Sequence, residues 1–309
     1  MIREQEGAYR SANGNNMVSY SVWEPEEAPR AVLQICHGMS EHIGRYRWFA
    51  EQMTRRGFVV CGDDHLGHGR TAAREEELGY FGPKDGYLHL MEDEHGLRRE
   101  MQARYPDLPY FLLGHSMGSF ITRFYVTRHA DGLSGYLCCG TSGRNPAVKF
   151  ARALASLMVL VRGGGRPGKL LDRLAFQDYN KQIENAATGH EWLSRDMTVY
   201  RPYADDPKSG FLFTNAGFRD LFRLLDTVTG RKWSNRVPKE LPIILLSGEC
   251  DPVGQYGEGV RQVYGWLEAS GVQDLTLRLY PGARHELHNE LNREEFVGDV
   301  ARWMEDRIR

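Results

Sequence analysis

The stretch "PYFLLGHSMGSFITRFYVTRH" (109–129) decides how the chain is read. An apolar run ends at Gly114, a serine follows at position 116, a second glycine stands at 118, and a helix-like segment begins at once. A serine between two glycines means little alone in a chain with 34 glycines. Its flanks give it meaning. A strand brings a serine to the carboxyl edge of a sheet, and a turn too cramped for side chains two residues either side hands the chain to a helix. That is the elbow of a nucleophile. In the helix that follows, Phe120, Ile121, Phe124 and Tyr125 share one face. Its N-terminal amides favour negative charge beside Ser116.

Outward from the elbow, short apolar runs alternate with helical patterns. Strands are expected at 31–36, 58–63, 109–114, 133–139, 241–248 and 274–280, and helices at 44–56, 87–105, 117–129, 256–270 and 293–308. Runs that are apolar without strict alternation suit strands buried on both faces of a parallel sheet. The alternation gives right-handed crossovers and a mostly parallel, doubly wound α/β sheet. It breaks between about 143 and 236, where helices and loops replace strands. The expected organisation is a core of 1–142 and 237–309, with a helical cap of 143–236 inserted between two late strands. Such a cap covers the carboxyl edge, where open α/β sheets place their ligands.

A serine hydroxyl needs a base, and the base needs an orienting acid. In this architecture they follow in the order serine, acid, histidine, each after a later strand. "LPIILLSG" is followed by "ECDPVG", which offers Asp251, with Glu249 as a competitor. "DLTLRLY" is followed by "PGARHELHNE", which offers His285, with His288 as a competitor. The backbone N–H groups of Met117 and of Met39, in "HGMSEH" after the first of these strands, are the expected donors to an oxyanion.

Composition limits the alternatives. With 41% hydrophobic and 26% charged residues the chain reads as an ordinary globular protein. A net charge of −2 gives no footprint for nucleic acid and no reason to expect attraction to anionic lipid. The N-terminus lacks an export signal and no run is long enough to span a membrane, which points to a cytoplasmic location, peripheral to a membrane at most. Five cysteines without a C-x-x-C pair read as reduced, buried thiols. "HELH" (285–288) is one residue short of the zinc motif H-E-x-x-H, and "GGGRPG" (163–168) lacks the lysine and serine of a phosphate loop, so no metal or cofactor is implied. Asp64, His65 and His68 in "GDDHLGHG" read as a shaped loop whose side chains cap backbone groups.

The motifs together resemble the monoacylglycerol lipase and lysophospholipase branch of the α/β-hydrolases, in the bacterial form. The matching segments are "HGMSEHIGRYRWFAEQM" (37–53), "GDDHLGHGRT" (62–71), "GHSMGS" (114–119), "GECDPVG" (248–254) and "RHELHNE" (284–290), with "WLSRD" (192–196) and "DPKSGFLFT" (206–214) in the insertion. The resemblance implies Ser116, Asp251 and His285 as a catalytic triad and Met39 and Met117 as oxyanion donors. It also implies that Glu41 and His42 brace the oxyanion loop. The direction of Glu286 stays undecided. Ser119 stands where many members have glycine, and Leu66 where they have arginine. The substrate expected is a single-chain lipid ester such as a monoacylglycerol or lysophospholipid.

Three rivals remain: a short-chain carboxylesterase, a non-catalytic ligand-binding relative, and an aminopeptidase using a carboxylate among Glu191, Asp196, Asp205 and Asp206. The segments 147–161 and 209–227 are rich in apolar residues. They either bury against the core or also line an acyl tunnel and touch a membrane or micelle. The oligomeric state is not legible.

Overall fold

The computed structural model describes residues 2–184 and 186–308. Eight strands, β1 (Arg3–Arg10), β2 (Met17–Glu24), β3 (Ala31–Cys36), β4 (Phe58–Asp63), β5 (Tyr110–His115), β6 (Gly135–Cys139), β7 (Ile243–Gly248) and β8 (Leu275–Tyr280), form one sheet. The sheet order is β1-β2-β4-β3-β5-β6-β7-β8. From β4 to β8 every pairing is parallel, while β2 runs antiparallel to both β1 and β4. This is the α/β-hydrolase fold. The strands β3 to β7 are wholly buried, which is why they read as unbroken apolar runs. The hairpin β1–β2 is absent from the expected strands. Its outer strand "REQEGAYR" is polar and mostly exposed, so no apolar run announces it.

The described residues form ten α-helices, five of them between β6 and β7. Helix α1 (Arg47–Thr54) and helix α10 (Arg293–Glu305) cover one face, packing Phe49, Phe296 and Val300, with Tyr46 just before α1, on Leu33, Leu113 and Leu246. Helices α2 (Gly86–Arg104), α3 (Met117–Tyr125) and α9 (Glu258–Ala269) cover the other, with Met91, Ile121, Phe124 and Val263 on Leu112, Cys138 and Leu245. Between β6 and β7 come α4 (Val148–Arg162), α5 (Lys169–Phe176), α6 (Met197–Asp205), α7 (Asn215–Thr227) and the short α8 (Arg231–Ser234). Helix α7 joins the core, with Phe218, Leu221 and Phe222 buried beside Phe120 and Phe124. Helix α4 does not follow suit: it buries Val148, Ala155 and Met158 and leaves Phe150, Leu157, Leu160 and Val161 exposed. Four cysteines are buried, but Cys250 is exposed at the end of β7, against the expectation for thiols.

A polar cluster inside the sheet ties the hairpin to the rest. The Tyr9 hydroxyl lies 2.5 Å from Asp63 Oδ2. His65 Nδ1 lies 3.1 Å from Asp63 Oδ1 and 3.4 Å from Glu94 Oε1, and its Nε2 faces the His37 carbonyl at 3.0 Å. Gln34 Nε2 donates to Glu94 Oε2 at 2.5 Å. Cys36, His65 and Glu94 lie close enough together to suggest a metal site. Both ring nitrogens of His65 already have protein partners, however. Burial, then the charge of Asp63, pushes Glu94 up to about 8, while Asp63 outweighs burial to raise His65 to about 9. A protonated His65 beside a neutral Glu94 accounts for the contacts of this cluster. Glu94→Gln is therefore expected to leave stability in denaturant within about 1 kcal/mol at pH 7, because burial and Asp63 favour the neutral carboxyl that the amide mimics. Asp63→Ala strands the buried imidazolium and should cost about 3–5 kcal/mol.

Candidate active site

The turn after β5 holds Ser116 at φ 54°, ψ −121°, a conformation that side-chain-bearing residues rarely adopt. Its amide donates to the Cys139 carbonyl at 3.0 Å. A Cβ on Gly114 would collide with Thr122 Oγ1 and come within 2.6 Å of the Gly118 carbonyl. One on Gly118 would collide with the Cys36 carbonyl at the end of β3. The two glycines therefore let the elbow press against the neighbouring strand. Ser119 replaces a glycine without strain: its hydroxyl donates to the Ser116 carbonyl at 2.6 Å and lies 2.9 Å from Thr141 Oγ1. Leu66, the other departure, is buried in the apolar core.

The loops after β7 and β8 bring Asp251 and His285 together. His285 Nδ1 lies 2.9 Å from Asp251 Oδ2, and both residues are buried. Asp251 Oδ1 accepts the Val253 amide at 2.8 Å, which fixes the carboxylate. Glu249 is exposed and takes no part. His288 stacks on Tyr46, ring centroids 4.1 Å apart, and burial followed by the charge of His115 drives it down to about 3. It is a packed neutral ring. Ser116, His285, Met39 and Met117 line one cavity, so the elbow, the histidine and both expected oxyanion segments face the same space.

A buried ionic network braces this site, and it joins the loop after β3 to Glu286, remote in sequence. Arg45 Nη1 donates to Glu41 Oε2 at 2.8 Å and to Glu286 Oε1 at 2.6 Å, and Nη2 donates to Glu286 Oε2 at 2.7 Å. Glu41 Oε1 accepts the Gly38 amide at 2.5 Å and the Tyr46 hydroxyl at 2.9 Å. The Glu41 carboxyl is held well below its usual range, because His115 and Arg45 outweigh the burial that would raise it. His115 in turn faces the His285 carbonyl at 3.2 Å through Nε2. Glu41 thus fixes the loop that carries Met39, and Glu286 fixes the loop that carries His285. His42 points elsewhere, to Asp206 at 2.9 Å. In the 64–68 loop, Asp64 accepts the amides of Ile43 and Arg70, and His68 Nε2 accepts the Ser40 amide at 3.3 Å.

The helical insertion is latched over these loops by its two motifs. From "WLSRD", the Leu193 carbonyl accepts the Glu286 amide at 2.8 Å, and Arg195 pairs with buried Glu290 at 2.8 Å. Trp192 stands over His285, ring centroids 5.0 Å apart. From "DPKSGFLFT", the Gly210 amide donates to the Ser40 carbonyl at 2.8 Å, and the Phe211 carbonyl accepts the Ser40 hydroxyl at 2.7 Å. Between insertion and sheet edge lies a cavity of about 730 Å³ lined mainly by apolar side chains, among them Phe120, Leu154, Leu171, Phe211, Phe222 and Leu225.

Sheet, elbow and loop order define an α/β-hydrolase of the serine ester hydrolase class. A family model described as serine aminopeptidase, S33, matches residues 27–292, and the chain belongs to that family. It is 35% identical to phospholipase YtpA of Bacillus subtilis, covering 88% of this chain and 94% of that protein. It is 29% identical to the monoacylglycerol lipase of Mycolicibacterium smegmatis, covering 94% of each. The crystal structure of a thermostable carboxyl esterase from Bacillus coagulans, in complex with glycerol, superposes with a TM-score of 0.94 at 35% identity over the whole of both chains. No helix among the described residues is long and apolar enough to cross a membrane.

The latch has a measurable consequence. A double-mutant cycle on Arg195→Ala and Glu290→Ala in denaturant unfolding should give a coupling of about 1–3 kcal/mol, above an exposed ion pair, because Glu290 is fully buried and also accepts the Arg195 and Arg284 amides.

Proposed function

We propose that the chain hydrolyses esters of single-chain lipids with a small alcohol, through an acyl-enzyme on Ser116. The cavity carries this reading: a space of about 730 Å³, walled mainly by apolar side chains such as Leu154, Leu171, Phe222 and Leu225, opens onto Ser116 and His285. An acyl chain lying there buries about 0.8 kcal/mol for each methylene. The segment 143–236 acts as the cap that closes the cavity. The monoacylglycerol lipase name among the relatives, and the glycerol in the carboxyl esterase structure, favour a glycerol-sized leaving group.

In the proposed reaction, Asp251 holds His285 by Nδ1, so that Nε2 takes the Ser116 proton as the hydroxyl attacks the ester carbonyl. The amides of Met39 and Met117, the latter at the N-terminus of α3, stabilise the oxyanion. The imidazolium then protonates the departing alcohol. Water attacks the acyl-enzyme by the same path and frees the acid.

A carboxylesterase acting on short chains is the second reading, favoured by the likeness to the carboxyl esterase. A peptidase would need a carboxylate aimed at the substrate's amino group. Glu191 instead accepts the amides of Ala187 and Thr188, Asp196 caps α6, Asp206 pairs with His42 and Ser209, and Asp205 is exposed; none of the four lines the cavity. A purely ligand-binding role would leave the strained elbow without a use.

Incubation with a monoacylglycerol should release glycerol and fatty acid in equal amounts. Ser116→Ala should abolish release while retaining the native unfolding transition, and Asp251→Asn should lower kcat by about 10⁴-fold. Release by purified Ser116→Ala at the native rate would overturn the assignment, as would labelling of the serine by an organophosphonate without turnover of any ester.

A further inference from the structure

A second guanidinium is buried close to the elbow, and among the described residues it pairs with no carboxylate. Arg123 of α3 is 1% exposed. Its Nη1 donates to the Ser142 carbonyl at 2.9 Å and to Thr141 Oγ1 at 3.3 Å, and its Nη2 donates to the Val228 carbonyl. Its Cζ lies 4.2 Å from the centre of the Trp233 ring. Burial pulls the group below its ordinary value, opposed only by the Cys138 thiol and the Tyr136 hydroxyl. A guanidinium nevertheless keeps its charge inside a protein. A charge left uncompensated in the core polarises whatever bonds to it.

What bonds to it leads to the nucleophile. Thr141 Oγ1 lies 2.9 Å from Ser119 Oγ, and Ser119 Oγ lies 2.6 Å from the Ser116 carbonyl oxygen. Thr141 and Ser119 are both fully buried. Each hydroxyl has one proton to give. A carbonyl cannot donate, so the Ser119 proton points to Ser116. The Thr141 proton then points to Ser119, and the Thr141 oxygen accepts from Arg123. The three bonds run in one direction, from the cation to the Ser116 carbonyl, and bonds aligned in this way strengthen one another. Glycine at position 119, as in many members of the family, would end the series one bond short.

The Ser116 carbonyl belongs to the same peptide group as the Met117 N–H. Amide resonance couples the two halves, so drawing electrons onto the oxygen makes the N–H a stronger donor. That N–H is the first of α3, has no acceptor within the helix, and belongs to a residue that lines the cavity. We infer that Arg123, Thr141 and Ser119 are positioning residues, a relay that polarises the Ser116–Met117 peptide and strengthens its N–H toward an oxyanion. The inference deepens the acyl-enzyme reading and rests on it.

The test uses a trifluoromethyl ketone labelled with carbon-13 at its carbonyl. Ser116 adds to that carbon, and the chemical shift of the label follows ionisation of the resulting hemiketal oxygen. Thr141→Val removes the hydroxyl and keeps the shape of the side chain. It should lower kcat on a water-soluble ester about threefold with KM unchanged, the share of an oxyanion donor's worth that cooperative strengthening supplies. The same loss should raise the ionisation midpoint of the hemiketal by about half a pH unit. Thr141→Ser keeps the hydroxyl and should behave as the native chain. Ser119→Ala should move both readouts at least as far, and adding Thr141→Val to it should move them no further, because the relay passes through Ser119. A midpoint unmoved in Thr141→Val and in Ser119→Ala would overturn the relay, even with kcat reduced, as would additive losses in the double variant. A native chain that forms no adduct at Ser116 would overturn the acyl-enzyme reading, and the relay with it.

Discussion

One buried guanidinium holds the site together. Arg45 is shared between Glu41, four residues before it, and Glu286, 241 residues after it. A buried charge of this kind is tolerated only when its hydrogen bonds are made, and each carboxylate makes more than one. Glu41 spans Arg45, the Gly38 amide and Tyr46; Glu286 spans both Arg45 nitrogens and Asn289. Two loops, one after central β3 and one after edge strand β8, are thereby fixed to one another. The Tyr203 ring of α6 lies 4.6 Å from the same guanidinium, so the insertion is anchored there as well.

The fold supplies what that network needs. The parallel strands deliver every loop of the site to one edge of the sheet. The elbow at Ser116 is strained, and glycines at 114 and 118 allow it to sit against β3. The insertion reaches down with two short segments that bond to the same loops the network fixes. The result is a largely apolar cleft over a polar floor, the arrangement that lets a hydrophobic chain and a reacting ester be held together.

Much of this was legible in the sequence, for physical reasons. Doubly buried strands must be apolar, so β3 to β7 announced themselves. The elbow needs glycine on both sides, and the order of acid and histidine follows from the strand order. The structure brings Asp251 and His285 within hydrogen-bond distance and leaves Glu249 in solvent. What was not legible depends on contacts between distant residues or on which side of a helix faces out. Glu286 could not be oriented without knowing where Arg45 lies. His42 was expected at the oxyanion loop and instead meets Asp206 of the insertion. The outer strand of the first hairpin has too little apolar character to be seen. The exposed stripe of α4 was hidden by an apolar circumference.

The central claim is that the cavity above Ser116 holds a long acyl chain. The most direct measurement is kcat/KM for monoacylglycerols of increasing acyl length, below their critical micelle concentrations, with Ser116→Ala as blank. The account requires kcat/KM to climb with each added methylene, by up to about fourfold per step, until the cavity is full. A maximum at the shortest chains, falling as methylenes are added, would contradict it and leave a small-ester hydrolase.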